Sequence, residues 1–377
     1  MIPYGKQSIS NQDIKTVNKV LKGDYLTTGP MVELFENEFC KEVKSKFAVS
    51  CSNGTAALHL AFLAAGIKEN DIVIIPVVNF VSTINLLSLI KAKIYCTDVD
   101  QFSGKMTPKL LESCIKKNKI KKIKAVVVMH NAGLVEHSQE FYKLKKKYGF
   151  KLIEDACHAL GSNHLHKKKT IPVGSCKFSD IATFSFHPVK SITTAEGGMI
   201  TTNNLRVFQK LKLLRNHGIL RKKNSAKKYE WHYKILYPGL NYRLSDLNSA
   251  LGLSQLKKLK IFISKRQQIA SHYINFFQKS EVIKCKNFDK NSAYHLFIVN
   301  LKNVSRNGVI QKLYKRKIIT QVHYIPAYKH PYYRKRIKGK FANAEIFYNT
   351  CLSLPIFPDL KNSQLNKICG TIKKICF

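Results

Sequence analysis

The stretch "KFAVSCSNGTAALHLAFLAAGIKENDIVIIP", residues 46–76, predicts the fold because it has the pattern of a strand, a helix and a second strand. Its two ends, "KFAVSCS" and "DIVIIP", are short apolar runs of the kind found in strands that are covered on both faces. The segment between them, "TAALHLAFLAAG", is long enough for the crossover helix that parallel strands require. We therefore predict a β-α-β unit here.

The same alternation continues to about residue 205. Five further strand candidates follow, which are "AKIYCTDV", "KIKAVVVMH", "FKLIEDA", "IATFSF" and "GGMITT". Helical segments such as "TPKLLESCIKK" separate the earlier ones, and Thr107 and Pro108 suit the start of that helix. This order of elements is typical of an α/β domain with a mostly parallel central sheet.

The regions before and after this alternation are predominantly helical. The segment "NQDIKTVNKVLKGDY" predicts an amphipathic helix that ends before Gly23, and a second helix should begin near Pro30. The apolar face of the first helix consists of Ile14, Val17, Val20 and Leu21. Beyond residue 205 helical patterns dominate and lead into a smaller α+β unit. We expect a large domain at residues 1–250 and a small one at residues 251–377.

Composition indicates a globular protein with an unusual charge. Hydrophobic residues make up 45% of the 377 residues, and 64 Lys and Arg against 23 Asp and Glu give a formal net charge of +41. Such a charge favours acidic partners, and a basic nucleic-acid-binding protein is one hypothesis. The lysines, however, are spread along the chain without a compact basic arm, so we do not expect a nucleic acid partner.

Other sequence features argue against secretion, membrane insertion and metal binding. The start "MIPYGKQSIS" lacks the pattern of a signal peptide, and no run reaches the ~18 apolar residues of a membrane-spanning helix. We therefore expect a cytoplasmic protein without a membrane partner. The 10 cysteines form no Cys-x-x-Cys pair and no cluster with zinc spacing, so neither a disulfide framework nor a metal site is expected.

The residues just after the strands carry the chemistry, because ligands of open parallel sheets bind beyond the carboxyl ends of the strands. Gly54 and Thr55 open a helix after the first strand and could hold a phosphate, although a simple helix cap would look the same. Phe80 follows the second strand and could be a core residue or the aromatic wall of a site. Asp155 ends the strand in "FKLIED", where a buried carboxylate needs a cation or strong hydrogen bonds.

Lys190 lies in "FSFHPVKSITTAEGG", residues 184–198, in a tight connection between two predicted strands. Burial there would lower its pKa and make its amine nucleophilic. An amine, a buried carboxylate, an aromatic ring and phosphate donors are together the parts of a pyridoxal 5'-phosphate site. Ser185, at the end of the preceding strand, would supply a further phosphate donor. Each feature is weak alone, and the combination predicts this cofactor.

Six segments carry a family resemblance in order and spacing: "LTTGPMVELFENEF", "SNGTAALHL", "IEDACHALGS", "FSFHPVKSITTAEGG", "LRNHGI" and "LNYRLSDLNSALGLSQL". Over almost its full length the chain resembles the sugar-nucleotide 4-aminotransferases, a branch of the fold-type I pyridoxal phosphate enzymes related to aspartate aminotransferase. Within the branch, "IPYGKQSIS" and "QVHYIPAYKHPYYR" (321–334) are most similar to members that act in pseudaminic acid biosynthesis. The resemblance implies the aspartate aminotransferase-like fold and a small C-terminal α+β domain.

The resemblance also implies a role for individual residues. Lys190 would be the catalytic residue that forms the Schiff base with the cofactor, and Asp155 would bind the pyridine nitrogen. Phe80 would stack on the ring, and His158 would lie beside the phenolic oxygen. The phosphate would be held by Gly54, Thr55, Ser185 and, from the other subunit of a homodimer, Asn241. The substrate would be bound by Tyr4, Tyr25, Leu26, Thr27, His323, Tyr324 and Pro326.

The implied reaction transfers the amino group of L-glutamate to C4 of a UDP-4-keto-6-deoxy-N-acetylhexosamine. The product would be UDP-4-amino-4,6-dideoxy-N-acetyl-β-L-altrosamine. An alternative is another nucleotide-linked 4-keto sugar, from a surface-glycan or antibiotic pathway. Related sugar 3-dehydratases have histidine in place of the lysine, so Lys190 argues against that reaction. The chain departs from the family pattern at Gly54, Cys157 and Ser191, and none of these changes removes an expected cofactor contact.

Overall fold

The computed structural model describes residues 1–221 and 231–376. Its helices are α1 (Asn11–Leu21), α2 (Pro30–Val43), α3 (Gly54–Ala64), α4 (Val81–Leu89), α5 (Pro108–Lys117), α6 (Ser138–Tyr148), α7 (Leu205–Leu214), α8 (Asp246–Leu256), α9 (Leu259–Phe277), α10 (Arg306–Lys315), α11 (Ala342–Thr350) and α12 (Asn362–Cys376). Its strands are β1 (Phe47–Cys51), β2 (Ile72–Pro76), β3 (Lys93–Thr97), β4 (Ala125–Met129), β5 (Lys151–Asp155), β6 (Asn163–His166), β7 (Lys169–Pro172), β8 (Ile181–Ser185), β9 (Gly198–Thr202), β10 (Ile219–Leu220), β11 (Lys234–Ile235), β12 (Ile283–Lys284), β13 (Phe297–Leu301) and β14 (Cys351–Leu354).

The seven predicted strands form one seven-stranded sheet in the order β1-β9-β8-β5-β4-β2-β3. The neighbours from β8 to β3 pair in parallel, whereas β9 runs antiparallel to both β1 and β8. The prediction of a mostly parallel sheet is therefore confirmed. The hairpin β6–β7 and the short pair β10–β11 were not predicted from the sequence.

Both faces of the central strands are buried, as their continuous apolar runs predicted. On β2, Val73 and Ile75 pack into a core formed with α3, α4 and α7, whereas Ile74 points to a second core formed with α5 and α6. Side chains alternate between the two faces of a strand, so one apolar run serves both cores. The result is a sheet between two helical layers.

The C-terminal part has a core of its own around the antiparallel sheet β12-β13-β14. Helix α9 contributes Phe262 and Ile263 to a core of the large sheet, and Tyr273 and Phe277 to the C-terminal core. At the other end of the chain, Ile2 also packs into the C-terminal core. Helix α9 and the N-terminal residues therefore connect the two predicted domains. The boundary between residues 250 and 251 stays a prediction.

The predicted first helix forms as α1, but part of its apolar face lies at the surface of the single chain, whereas Val17 and Val20 are half-buried. Ile14 is 50% exposed and Leu21 is 54% exposed. The buried residue of α1 is Asp13, whose carboxylate accepts hydrogen bonds from Ser254 Oγ at 2.7 Å and Gln255 Nε2 at 2.9 Å. A polar contact therefore attaches α1 to α8, and Ile14 and Leu21 stay exposed to solvent. Within the described part of the chain, no helix has the length and apolarity needed to cross a membrane.

A buried polar cluster connects the sheet to the hairpin β6–β7. Glu154 Oε1 lies 3.1 Å from His130 Nε2 and 3.4 Å from His164 Nε2, and Ser179 Oγ donates to Glu154 Oε2 at 2.8 Å. Although burial would raise the pKa of Glu154, His164 and His130 lower it to about 2. Burial lowers the pKa of His164 to about 4 despite the attraction of Glu154. Near neutral pH the carboxylate is therefore ionised and His164 is neutral.

We predict that Glu154→Gln destabilises the protein by about 1.5–3 kcal/mol, because buried hydrogen bonds to a charged group are lost. Urea unfolding at pH 7 followed by circular dichroism measures this loss. The control is Glu38→Gln, since Glu38 is exposed and pairs with the exposed Lys41 one helix turn away. Equal midpoints for the two variants would show that the cluster does not stabilise the fold.

Candidate active site

A cavity of about 560 Å³ opens at the carboxyl ends of the parallel strands. Ten of the predicted site residues line it, which are Tyr4, Gly54, Thr55, Phe80, Asp155, His158, Ser185, Lys190, His323 and Tyr324. They come from positions as far apart in the chain as Tyr4 and Tyr324. A second cavity of about 590 Å³ between α2 and α9 is lined by none of the predicted residues. The chemistry therefore points to the cavity at the strand ends.

The N-terminus of α3 forms one end of this cavity. Asn53 caps the helix by accepting a hydrogen bond from the backbone N–H of Ala56 at 2.8 Å. A Cβ atom at Gly54 would lie only 2.7 Å from Ser185 Cβ, so glycine allows β8 to approach the helix closely. Thr55 Oγ1 lies 2.9 Å from Ser82 Oγ, a hydroxyl that the sequence had not indicated. Free N–H groups and hydroxyls at a helix N-terminus suit a phosphate.

Asp155 lies at the end of β5 and is 2% exposed. In the sheet it is paired with Met129 on one side and Thr183 on the other. Its Oδ1 accepts a hydrogen bond from the backbone N–H of Cys157 at 3.2 Å. Asp155 therefore presents a buried carboxylate to the cavity from a rigid strand.

Lys190 lies in the connection between β8 and β9. Its backbone N–H donates to His187 O at 2.9 Å, and Arg266 Nη2 donates to Val189 O at 3.4 Å. The side chain is half-buried and lines the cavity. Burial lowers the pKa of Lys190, and the nearby Cys157 and Asp155 offset this only in part. The loop therefore holds an amine that loses its proton more readily than an exposed lysine.

Aromatic rings and histidines form another wall of the cavity. Phe80 is 49% exposed, and its ring centroid lies 5.6 Å from that of Tyr324. The Tyr324 hydroxyl lies 2.9 Å from His158 Nε2. His295, which sequence reasoning missed, is buried with its ring 4.3 Å from that of His158. Burial, together with nearby Lys190, lowers the pKa of His323 to about 4, so this wall is uncharged near neutral pH.

Five predicted residues lie outside the lining of this cavity. Tyr25, Leu26 and Thr27 are exposed, and Thr27 forms an isolated β-bridge with Ser245. Asn241 is also exposed. Pro326 is buried next to Ala327, whose backbone N–H donates to Val77 O at 2.8 Å. Their roles toward substrate and cofactor stay predictions.

The groups around the cavity fit pyridoxal phosphate. Gly54 has no side chain, so the space beside Ser185 at the N-terminus of α3 stays open. A helix N-terminus stabilises a bound phosphate. A carboxylate, an amine and an exposed aromatic face complete the set of groups that this cofactor needs. Fold and site thus define an α/β enzyme of the pyridoxal phosphate class.

Comparison with known proteins places the chain within this class. Residues 7–373 match the model of the DegT/DnrJ/EryC1/StrS aminotransferase family. The chain belongs to this family and is a pyridoxal phosphate-dependent aminotransferase. Its family resemblance and fold-type I architecture, both predicted from the sequence, are confirmed.

Two proteins that match this chain along its full length are a transaminase and an aminotransferase. The UDP-4-amino-4,6-dideoxy-N-acetyl-beta-L-altrosamine transaminase of Campylobacter jejuni (strain 81-176) is 38% identical over 382 residues, covering 100% of this chain and 97% of that protein. The structure of Helicobacter pylori PseC, an aminotransferase involved in the biosynthesis of pseudoaminic acid, has a TM-score of 0.91 and 30% identity, covering 100% of this chain and 99% of that one.

The putative sugar aminotransferase Spr1654 from Streptococcus pneumoniae has also been solved in its PMP-form. That structure has a TM-score of 0.92 and 25% identity, covering 100% of this chain and 99% of that one. The same protein was solved in a PLP-form. These forms are the two states of the cofactor that an aminotransferase uses.

We predict that pyridoxal phosphate reacts with Lys190 of the cofactor-free protein at a lower pH than with an ordinary lysine. The neutral amine is the reactive form, and burial favours it, so the rate should rise with pH and level off below the usual pKa of 10.5. Stopped-flow absorbance of the lysine-bound cofactor measures this rate. Lys190→Arg is the control and should give no such phase. A midpoint at or above 10.5 would contradict the prediction.

We further predict that Thr55→Val weakens binding of pyridoxal phosphate about tenfold, because one hydrogen bond to a charged phosphate is lost. Equilibrium titration of the cofactor-free protein measures the change in Kd. Thr16→Val makes the same substitution on α1, away from the cavity, and should leave Kd unchanged. Equal affinities of the two variants would exclude Thr55 from the phosphate site.

Proposed function

We propose that this enzyme transfers the amino group of L-glutamate to C4 of a UDP-4-keto-6-deoxy-N-acetylhexosamine. The products are 2-oxoglutarate and UDP-4-amino-4,6-dideoxy-N-acetyl-β-L-altrosamine, an intermediate for pseudaminic acid. The observation that carries this proposal is the convergence of Lys190, Asp155 and the α3 N-terminus on one cavity. The full-length similarity to a transaminase described for this product supports the choice of sugar.

The cofactor, when bound, carries the amino group between the two substrates and accepts electron density from the reacting carbon. Thr55, Ser185 and the backbone at Gly54 would hold its phosphate. Asp155 would accept a hydrogen bond from the pyridine N–H and keep that nitrogen protonated, because a buried carboxylate stabilises a neighbouring positive charge. Phe80 would cover one face of the ring with its exposed side.

Lys190 would move the proton at the reacting carbon. Its amine lines the same cavity as Asp155, and its lowered pKa makes the neutral, basic form of the amine more available than in an exposed lysine. The loop hydrogen bonds at His187 and Val189 fix the backbone on which this amine is carried. A base that is already positioned at the reacting atom avoids the entropic cost of recruiting one from solvent.

The sugar would occupy the part of the cavity bounded by Tyr4, His323 and Tyr324. The Tyr4 and His323 ring centroids are 5.7 Å apart, so the two side chains form one continuous wall. A cavity of about 560 Å³ lies within the ~300–1,000 Å³ usual for small-molecule sites. Neutral hydroxyl and imidazole groups suit the hydroxyls of a sugar.

A homodimer in the cytoplasm completes the proposal. The exposed apolar face of α1, with Ile14 and Leu21, lies in the same N-terminal region as exposed Tyr25 and Leu26. Burying these side chains against a second copy would remove apolar surface from water. In that dimer Asn241 would reach the partner's cofactor phosphate, and Tyr25, Leu26 and Thr27 the partner's substrate. Their position outside the cavity of their own chain agrees with this arrangement.

A second candidate is the amination of another nucleotide-linked 4-keto sugar. The observation in its favour is that the sugar aminotransferase from Streptococcus pneumoniae matches the chain as well in overall shape as PseC does. Overall shape therefore does not discriminate between sugars. The side chains that would discriminate between sugars are Tyr4, His323 and Tyr324, which bound the part of the cavity proposed for the sugar.

We predict that the purified protein with pyridoxal phosphate, L-glutamate and the UDP-4-keto sugar forms a UDP-4-amino sugar, whose C4 configuration NMR identifies. Lys190→Ala should lower kcat by about 10²–10⁴-fold, because the base at the reacting carbon is lost. The control Lys151→Ala removes an exposed lysine that pairs with Asp180 and should retain activity. Product formation only from a different 4-keto sugar would support the second candidate, and no amination of any would overturn both.

A further inference from the structure

The direction of one hydrogen bond assigns a role to Tyr324. Its hydroxyl lies 2.9 Å from His158 Nε2, and either atom could be the donor in this pair. The other nitrogen of the ring, Nδ1, lies 3.3 Å from the backbone nitrogen of Ala132. A backbone N–H can only donate, so His158 Nδ1 is the acceptor and carries no proton. This contact fixes which nitrogen of the imidazole is protonated.

The backbone of Ala132 is held in the conformation that makes this contact. Ala132 has a φ of 60° and a ψ of 1°, in the left-handed region that alanine rarely adopts, and it is buried in the turn Asn131–Gly133 after β4. Such a conformation costs about 1–2 kcal/mol and persists only where the surroundings enforce it. The N–H that selects the tautomer of His158 is therefore part of a rigid turn.

His158 is neutral, so its single proton lies on Nε2. Burial lowers the pKa of His158 well below its usual value, and the charge of Lys190 and the proximity of His323 lower it further. With Nδ1 unprotonated, Nε2–H donates to the Tyr324 oxygen. The hydrogen of the Tyr324 hydroxyl is then not used by His158. Among the residues that the structure describes, no other hydrogen-bond partner of this hydroxyl is present.

We propose that Tyr324 donates its hydroxyl hydrogen to an oxygen of the ligand bound in the cavity, and that Ala132 and His158 fix this direction. The proposal rests on the proposed function for the identity of the ligand. Two ligand oxygens have the required chemistry, namely the phenolic oxygen of the cofactor and an oxygen of the 4-keto sugar. His158 is a positioning residue in this arrangement because it acts through Tyr324.

The surroundings of Tyr324 keep it a donor. Burial raises the pKa of its phenol well above the usual value, and Asp155 and Cys157 raise it further. The phenol therefore stays protonated in the pH range in which enzymes work. The other titratable groups around this wall are Tyr4, Lys190, His295 and His323, and burial lowers the pKa values of the lysine and both histidines.

The first test is independent of any ligand. In ¹⁵N-histidine-labelled, cofactor-free protein, two-bond ¹⁵N–¹H NMR distinguishes a ring protonated at Nε2 from one protonated at Nδ1. The signal of His158 is identified by its absence in His158→Gln. We expect an Nε2-protonated ring near pH 7.5. An Nδ1-protonated or doubly protonated ring would overturn the proposal whether or not the enzyme is an aminotransferase.

The second test uses Tyr324→Phe with pyridoxal phosphate bound. If the acceptor is the phenolic oxygen, loss of the donor destabilises its ionised form, and the midpoint of the pH-dependent colour change of the lysine-bound cofactor should rise by about one pH unit. If the acceptor is a sugar oxygen, this midpoint and the half-reaction with L-glutamate should be unchanged, and KM for the sugar should rise about tenfold.

Tyr328→Phe is the matched control, because Tyr328 lies four residues further on and donates to Glu345 Oε1 outside the cavity. If Tyr324→Phe behaves like this control in the colour titration and in both half-reactions, the proposal is overturned. A protein that never binds pyridoxal phosphate would instead contradict the proposed function, and the NMR result on the tautomer would still stand.

Discussion

The in-register pairing of β5 with β4 and β8 is the constraint on which the site depends. It places Asp155 beside Met129 and Thr183 at the edge where the parallel strands end. The next strand, β9, runs antiparallel, so the chain must turn back at this same edge after β8. The turning segment carries Lys190. One sheet register therefore brings a carboxylate and an amine into the same cavity, although 35 positions separate them in the sequence numbering.

The parts of the fold and site that the sequence predicted are those with local signals. Seven apolar runs gave the seven strands, and Gly54, Asp155 and Lys190 stood out because each follows or ends such a run. His295 and Ser82 carried no comparable signal. His295 becomes a neighbour of His158 only when the C-terminal unit packs against the large sheet. Contacts between distant segments depend on tertiary packing, which periodicity does not describe.

Periodicity also does not identify the surface that an apolar face meets. The pattern of α1 correctly indicated a helix, yet in the single chain its buried residue is Asp13, which is held by Ser254, Gln255 and Lys258. A buried carboxylate with these partners is stable because its charge is paired and hydrogen-bonded. Tyr25 and Asn241 are also exposed in the single chain. Their proposed roles concern a surface between two subunits, which the periodicity of one chain does not describe.

The two consecutive acids of β5 show how one strand carries both a carboxylate of the core and a carboxylate that lines the cavity. Because side chains alternate along a strand, Glu154 and Asp155 point to opposite faces of the sheet. Glu154 interacts with His130, His164 and Ser179 and needs no further partner. Within the described part of the chain, the carboxylate of Asp155 is hydrogen-bonded by Cys157 alone, through its backbone N–H and its thiol. A buried carboxylate with so few donors is costly. A protonated ring nitrogen in the cavity would supply the missing donor, which agrees with the role proposed for Asp155, since Asp155 and not Glu154 lines the cavity.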